Sequence, residues 1–305
     1  MSDFTPYHIP ALLPQVIEAL DIKPGGTYVD VTFGGGGHSR AILEKLSEKG
    51  HLFAFDQDPE AAANAFDDGR FTMIRANFRY LTNFMDYYDV DGVDGLLADL
   101  GVSFHHFDDP DRGFSFRWDE SPLDMRMNPN APTTAAQLLA ESDEESLTRI
   151  LSLYGELKNA RQLARAIIKA RREGHPLATV ADLGAVISPL VNPAHEKKEL
   201  ACIYQALRIV VNNEMQVLGK LLDAAASVIR PGGRIAIITY HSLEDRLVKN
   251  FFKTGSLEGD VEKDFFGNTQ APFRPLGNKP IVPDANEIDA NPRSRSAKLR
   301  VAQKR

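Results

Sequence analysis

Apolar residues in the first hundred positions fall in short dense runs separated by polar, helix-like stretches. Residues 27–33 read as a strand, followed by a helix from about 38 to 46. Residues 51–55 read as a second strand ending at Asp56. A helix is expected to begin near Pro59, where proline suits a first turn. Residues 71–75 and 93–98 read as third and fourth strands, the fourth ending at Asp99. Repeated strand–helix units imply a parallel sheet with helices on both faces.

The alternation then stops. Residues 105–132 are rich in Asp, Pro, Arg and aromatics and show no clean period, and residues 134–190 are helical in pattern throughout. A long helical stretch at about 199–229 leads through Pro231-Gly232-Gly233 into a strong strand at 234–240. Residues 255–292 are loop-like, and 296–302 form a candidate closing strand. The simplest topology is an α/β domain, residues 1–108 and 206–305, split by a helical insertion at 109–205. Ligands sit at the carboxyl ends of parallel strands, so an insertion following Asp99 suits a substrate lid.

Four consecutive glycines, Gly34 to Gly37, join the first strand to its helix, a place where backbone can approach a ligand closely. A dinucleotide site needs G-x-G-x-x-G, and frames starting at Gly34 and Gly35 end on Ser39 and Arg40. An acidic residue in the first strand, Asp30, followed by a dense glycine turn looks instead like the first motif of S-adenosylmethionine (SAM) methyltransferases. Asp56, at the end of the second strand, suits a contact to ribose hydroxyls. A helix cap is the alternative, and Asp58 fits that role better. Asp99 faces the crevice from the fourth strand, where a carboxylate can hold an amine and receive its proton; a loop cap is again the alternative. His38 opens the first helix and offers its backbone N–H to a ligand.

Composition narrows the classes. Hydrophobic residues at 43% and charged residues at 25% are those of a globular protein. No apolar run nears the ~20 residues of a membrane span, and no signal-peptide pattern is present, so the cytoplasm is the expected location. The single cysteine, Cys202, excludes an internal disulfide. His105, His106 and His241 lack metal-ligand spacing, and no metal is expected. With 35 basic against 42 acidic residues the whole surface does not suit nucleic acid, but local patches do. Lys158, Arg161, Arg165, Lys169 and Arg172 recur at steps of three and four on one helix, either a solvated face or a contact for a nucleic-acid backbone. Residues 293–305 carry Arg293, Arg295, Lys298, Arg300, Lys304 and Arg305 without an acid.

With these residues in view, the chain resembles the ribosomal RNA small-subunit methyltransferase H family (RsmH, also called MraW) from end to end. The match includes residues 8–13, 30–39 and 99–103, Arg112-Gly113-Phe114-Ser115-Phe116 and Pro122-Leu123-Asp124-Met125-Arg126-Met127. It continues through residues 154–156 and 205–208, His241-Ser242-Leu243-Glu244-Asp245-Arg246, and residues 291–296. The resemblance implies a Rossmann-like class I SAM-dependent methyltransferase fold with an inserted helical domain that recognises substrate. It implies methylation of the exocyclic N4 of a cytidine in 16S rRNA, at the decoding centre of the small ribosomal subunit. Cofactor contacts carry over to Gly36, Gly37, His38, Asp56, Phe78, Asp99 and His106. The family usually reads Ser-Ser-Pro-Gln where this chain has Ser103-Phe104-His105-His106, so the last contact is His in place of Gln, and His also charges near neutral pH. Pro14-Gln15 likewise replaces an acidic residue common near the start.

Asp99 is the expected catalytic residue, as acceptor for the amine and its proton, with SAM binding alone as the alternative. The Pro-Pro-aromatic motif of other amino-methyltransferases is missing here. Rival readings are a SAM enzyme with another acceptor, a non-catalytic assembly factor that kept the fold, and a nicotinamide dehydrogenase, which the glycine spacing disfavours.

Overall fold

The computed structural model describes residues 10–101, 107–261 and 270–305. The chain forms two compact units. One comprises Met1–Gly101 with Gln216–Arg305, the other Val102–Met215.

The first unit is built on a sheet of seven described strands: β1 (Thr27–Asp30), β2 (His51–Asp56), β3 (Phe71–Arg75), β4 (Val93–Asp99), β5 (Ile229–Thr239), β6 (Phe273–Pro275) and β7 (Lys298–Lys304). Their order is β3-β2-β1-β4-β5-β7-β6. The first five run parallel; β7 is antiparallel to β5 and to β6. The chain steps outward from β1 to β3 and then returns to place β4 on the other side of β1. That reversal opens a crevice at the carboxyl ends of β1 and β4.

Period-2 alternation explains why both faces are covered. Val29, Phe53, Leu96, Ile235 and Ile237 join one core with α3 (Leu81–Tyr87), α9 (Glu214–Val228) and α10 (Ser242–Thr254), through residues such as Met85, Leu221 and Phe251. Tyr28, Leu52, Leu97, Ala236 and Ile238 join the other with α1 (Leu13–Leu20) and α2 (Gly37–Leu43), through Val16, Leu20 and Ile42. The two ends of the chain are latched: the Leu12 N–H donates to Glu287 Oε1 at 2.6 Å, in α11 (Ala285–Ala290). Arg300 of β7 grips Asp245 of α10 through two bonds of 2.6 and 3.1 Å.

The second unit holds α4 (Ala135–Glu141), α5 (Glu144–Leu153), α6 (Ala160–Arg172), α7 (Val180–Ile187) and α8 (Glu196–Val211) around its own core, including Leu123, Met125, Leu139, Leu151, Leu163 and Leu207. The Pro-Leu-Asp-Met-Arg-Met segment is a structural knot here. Leu123 and Met125 are buried, Asp124 pairs with Arg126 at 2.6 Å, and Arg112 donates to the carbonyls of Arg126 and Met127.

Three local expectations change. The helix after Pro59 is only a 3-10 turn at Ala61–Asn64, because Ala63, Asn64 and Ala65 are exposed and supply no apolar stripe to bury. The chain there serves instead to bring Phe66 against Phe33 and Phe71, with centroids 5.5 and 4.8 Å apart. β1 stops at Asp30, whose carboxylate takes the Thr32 N–H at 3.0 Å. The stretch at 199–229 is two helices, α8 and α9. They separate where Asn213 turns left-handed (φ 52°) and Asn212 bonds Met125 and Met127. Among the described residues no helix is long and apolar enough to cross a membrane.

Asp245→Ala leaves the Arg300 guanidinium, 11% exposed, without its bidentate partner. The variant is expected to lose about 2–3 kcal/mol in urea denaturation, and adding Arg300→Met to recover part of it, because no orphaned charge then remains.

Candidate active site

The glycine turn is held from both sides. Gly34 (φ 51°) donates its N–H to Asp56 Oδ2 at 2.8 Å, and its carbonyl accepts from Asn64 at 3.2 Å. Gly36 (φ 75°) sits where a Cβ would lie 2.9 Å from the rings of Phe33 and Phe66, so only glycine fits. Gly37 opens α2 against Pro10, which a Cβ there would strike. Asp56 Oδ1 accepts the Asp58 N–H at 2.9 Å, and Asp58, buried, caps Glu60 N at 3.0 Å. Asn77, just before Phe78, donates to Gln57 at 2.8 Å. These bonds tie the loops after β1, β2 and β3 into one rim. Phe78 is half-buried, packed against the sheet core.

The carboxyl ends of β1 and β4 carry the chemistry. Asp30 is buried and accepts from Ser39 Oγ at 2.7 Å and from Thr32 Oγ1 at 3.3 Å. The same Thr32 hydroxyl oxygen accepts the Asp99 N–H at 2.6 Å, so one threonine bridges the two strand ends. Asp99 Oδ1 accepts from Tyr240 Oη at 2.8 Å. Tyr240 follows β5, and Gly101 (φ 123°) leaves room for its ring, which a Cβ would approach to 2.9 Å. Tyr240 is itself placed by Glu244, whose buried carboxylate takes the Tyr240 N–H at 2.9 Å.

His38 completes the group. Its Nε2 lies 3.0 Å from the Ala11 carbonyl, which only accepts, so Nε2 carries the hydrogen. Nδ1 then faces Asp99 Oδ2 at 3.7 Å. That approach is favourable when a proton resides on one of the two groups.

Burial first pushes the Asp99 carboxyl up to about 7; the Tyr240 bond opposes this, and the charges of Asp30 and Glu244 add to it. Burial likewise lifts Asp30 to about 6, against the bonds from Ser39 and Thr32. Burial and the neighbouring Asp99 push the Tyr240 hydroxyl well up, so it stays a donor. A half-buried carboxyl that exchanges its proton near neutrality, at the mouth of the strand crevice, is equipped to accept a proton from a substrate.

Six of the seven residues expected at the cofactor, Gly36, Gly37, His38, Asp56, Phe78 and Asp99, lie at or just after the carboxyl ends of the first four strands. His106 lies outside the described residues. Asp99 and His38 meet directly, and Asp56 meets the glycine turn. Sequence reasoning missed Thr32 and Tyr240. Tyr240 carried a usable signal, since it closes a strand as Asp99 does. Nothing in a single chain marks Thr32 as a bridge.

The MraW methylase family model matches residues 5–305. The chain is 57% identical over 304 residues to the ribosomal RNA small subunit methyltransferase H of Bacteroides thetaiotaomicron, covering 100% of this chain and 99% of that one. It is 58% identical to the protein of the same name from Parabacteroides distasonis, covering 98% and 97%. A solved rRNA methylase of Streptococcus thermophilus is similar with a TM-score of 0.40 and 12% identity, over 96% of this chain and 93% of that one, too distant to bear on the site.

The raised value of Asp99 has a sign. Its carboxyl usually titrates at 3.8, so above that pH an unfolded chain has released a proton that the fold retains. The stability from this source is full below about pH 4 and declines as pH rises through about 7. Asp99→Asn cannot ionise. It is expected to melt above the parent at pH 8, with the gap closing toward pH 4; an equal gap at both would rule out the buried charge as its cause.

Proposed function

The chain belongs to the MraW methylase family, and we propose that it methylates N4 of a cytidine in 16S rRNA, at the decoding centre of the small ribosomal subunit. The fold is the Rossmann-like class I methyltransferase fold, and the methyl donor is S-adenosylmethionine. The residues present fit that donor. A turn with no room for a side chain at Gly36 and Gly37 lets backbone approach it, and the Asp56 carboxylate beside the turn suits ribose hydroxyls. Gly36, Gly37, His38, Asp56, Phe78, Asp99 and His106 are the residues proposed to hold it. When bound, it supplies a methyl carbon activated by a positively charged sulfur.

The observation that carries the reading is the Asp99 carboxyl, held by Tyr240 and poised near 7. A cytosine amine is a weak nucleophile because its lone pair is delocalised into the ring. Asp99 accepts a hydrogen bond from that amine, which orients the lone pair. As N4 gains its methyl group it releases a proton, and the Asp99 carboxylate takes it. Tyr240 keeps the carboxylate in register and His38 faces its other oxygen, so the acceptor is fixed before the base arrives. The base must leave its stack to reach a half-buried carboxylate, which suits a nucleotide in an irregular RNA segment.

We further propose that the second unit, the helical insertion, recognises the RNA. Arg161, Arg165, Lys169 and Arg172 lie exposed along α6, with Lys158 just before it. Glu144 sits 2.9 Å from Arg165 and 3.8 Å from Arg161, and Glu173 lies 3.8 Å from Lys169, so acids offset part of the stripe. At the other end of the chain, Lys298 is the register partner of Thr239, which precedes Tyr240. Arg293 and Arg295 therefore approach the carboxyl end of the sheet, where phosphates flanking the target base would pass. The cytoplasm is the location that goes with this substrate.

The test is methyl transfer from labelled SAM to unmethylated small subunits, followed by nucleoside analysis. N4-methylcytidine is expected, with a rate that rises with pH and levels off above about 7, where Asp99 is ionised. Asp99→Asn is expected to lose about 100-fold or more in rate, with SAM affinity measured separately. SAM binding without transfer to subunits or free 16S rRNA would overturn the assignment. Arg161→Glu with Arg172→Glu is expected to raise KM for subunits several-fold while leaving kcat near the parent value; an unchanged KM would remove α6 from the interface.

A further inference from the structure

A cavity of about 560 Å³ lies at the outer edge of the first unit's sheet, lined by residues of α1, β5, α10, β7 and the loop after β6. Its origin is a gap in strand pairing. β6 pairs with β7 only over Phe273–Pro275. Leu276 N still bonds Val301 O at 2.9 Å, and Ile281 exchanges bonds of 2.9 and 2.8 Å with Leu299. Between them Gly277, Asn278 and Lys279 bow away from β7. Arg234, on one wall, pairs in register with Gly95 near the start of β4, at the opposite end of the sheet from Asp99.

The lining is cationic in a chain whose net charge is −7. It holds Arg234, Lys249, Lys253, Lys279 and Arg300 against Glu18 alone. The two arginines are neutralised, Arg300 by Asp245 and Arg234 by Asp21 at 2.9 Å. Lys249, Lys253 and Lys279 are exposed and have no ion-pair partner among the described residues, so they form the surplus. Lys249 and Lys253 are one helical turn apart on α10 and present their ammonium groups together. Apart from Gln15 and Asn278, the remaining wall is largely apolar, with Phe252, Leu276, Ile281, Leu299 and Val301. Leu276 and Ile281 stay 42% and 41% exposed.

A volume in the range of ligand pockets, three surplus ammonium groups and an apolar wall are the complement of an anion that carries a flat apolar body. We propose that this cavity is a nucleotide site, with the phosphate on Lys249, Lys253 and Lys279 and the base against Leu276, Ile281 and Val301. The nucleotide comes from an RNA strand or is free in solution. An rRNA source rests on the proposed function; the chemistry of the cavity does not.

The test measures binding of a fluorescent single-stranded RNA octamer by anisotropy, and of cytidine monophosphate by calorimetry, to the full chain. Lys249→Glu with Lys253→Glu is compared with Lys45→Glu with Lys49→Glu, an equal charge change on exposed lysines elsewhere. The cavity variant is expected to lose about tenfold or more in affinity and, for RNA, about 1.4 in the salt slope, from about 0.7 per lysine; the control keeps both. Loss of octamer binding alone assigns the site to RNA, and loss of cytidine monophosphate binding alone to a free nucleotide. Equal affinities in the two variants, or no binding of either probe by the parent, overturn the site. Subunit methylation in the same proteins separates the two readings. Methylation intact with cavity-independent binding removes only the cavity. Cavity-dependent binding without methylation by the parent removes only the rRNA assignment.

Discussion

Two carboxyl groups, Asp30 and Asp99, are held close together at the ends of neighbouring buried strands, and the site depends on how that repulsion is managed. Asp30 is shut off from water, and Asp99 keeps only a partly exposed side chain. Thr32 settles the geometry by accepting from the backbone of one strand and donating to the carboxyl of the other. Ser39 and Tyr240 each supply one hydroxyl donor. Burial outweighs these donors, so both groups retain protons far above the ordinary carboxyl range. A proton acceptor matched to neutral pH therefore arises from strand order, because only the reversal between β1 and β4 brings these two ends side by side.

Two of the motifs that carry the family resemblance build scaffold. The His-Ser-Leu-Glu-Asp-Arg run supplies scaffolding: His241 and Glu244 cap α10, Glu244 also fixes the backbone of Tyr240, and Asp245 anchors β7. The Pro-Leu-Asp-Met-Arg-Met run closes the second unit on itself. Such segments are specific because several backbone and side-chain bonds must be met at once, and few residue combinations satisfy them.

Strands β2, β3 and β4 were readable because each is a short apolar run bounded by turn residues, the pattern a covered parallel sheet requires. The glycine turn, Asp56 and Asp99 were readable from their position at strand ends. The segment after Pro59 was not, since its alanines favour a helix locally while the packing of Phe66 decides the outcome. The break between α8 and α9 depends on Asn212 reaching residues more than eighty positions away, which no local window contains. Tyr240 and Thr32 belong to the site only through contacts across strands.

The order in which the chain leaves a ribosome gives the latch between Leu12 and Glu287 a further meaning. The second unit is one continuous stretch of sequence, all of it made once its last helix has emerged. The first unit has no such moment until the end. Without residues 298–304, β5 presents a bare edge of backbone donors and acceptors, and without α11 the start of α1 lacks its acceptor. The nascent polypeptide thus carries a finished insertion and an unfinished sheet, with the neighbour of the Tyr240 strand made last. The edge of β5, beside the strand that ends at Asp99, stays unpaired until β7 is made.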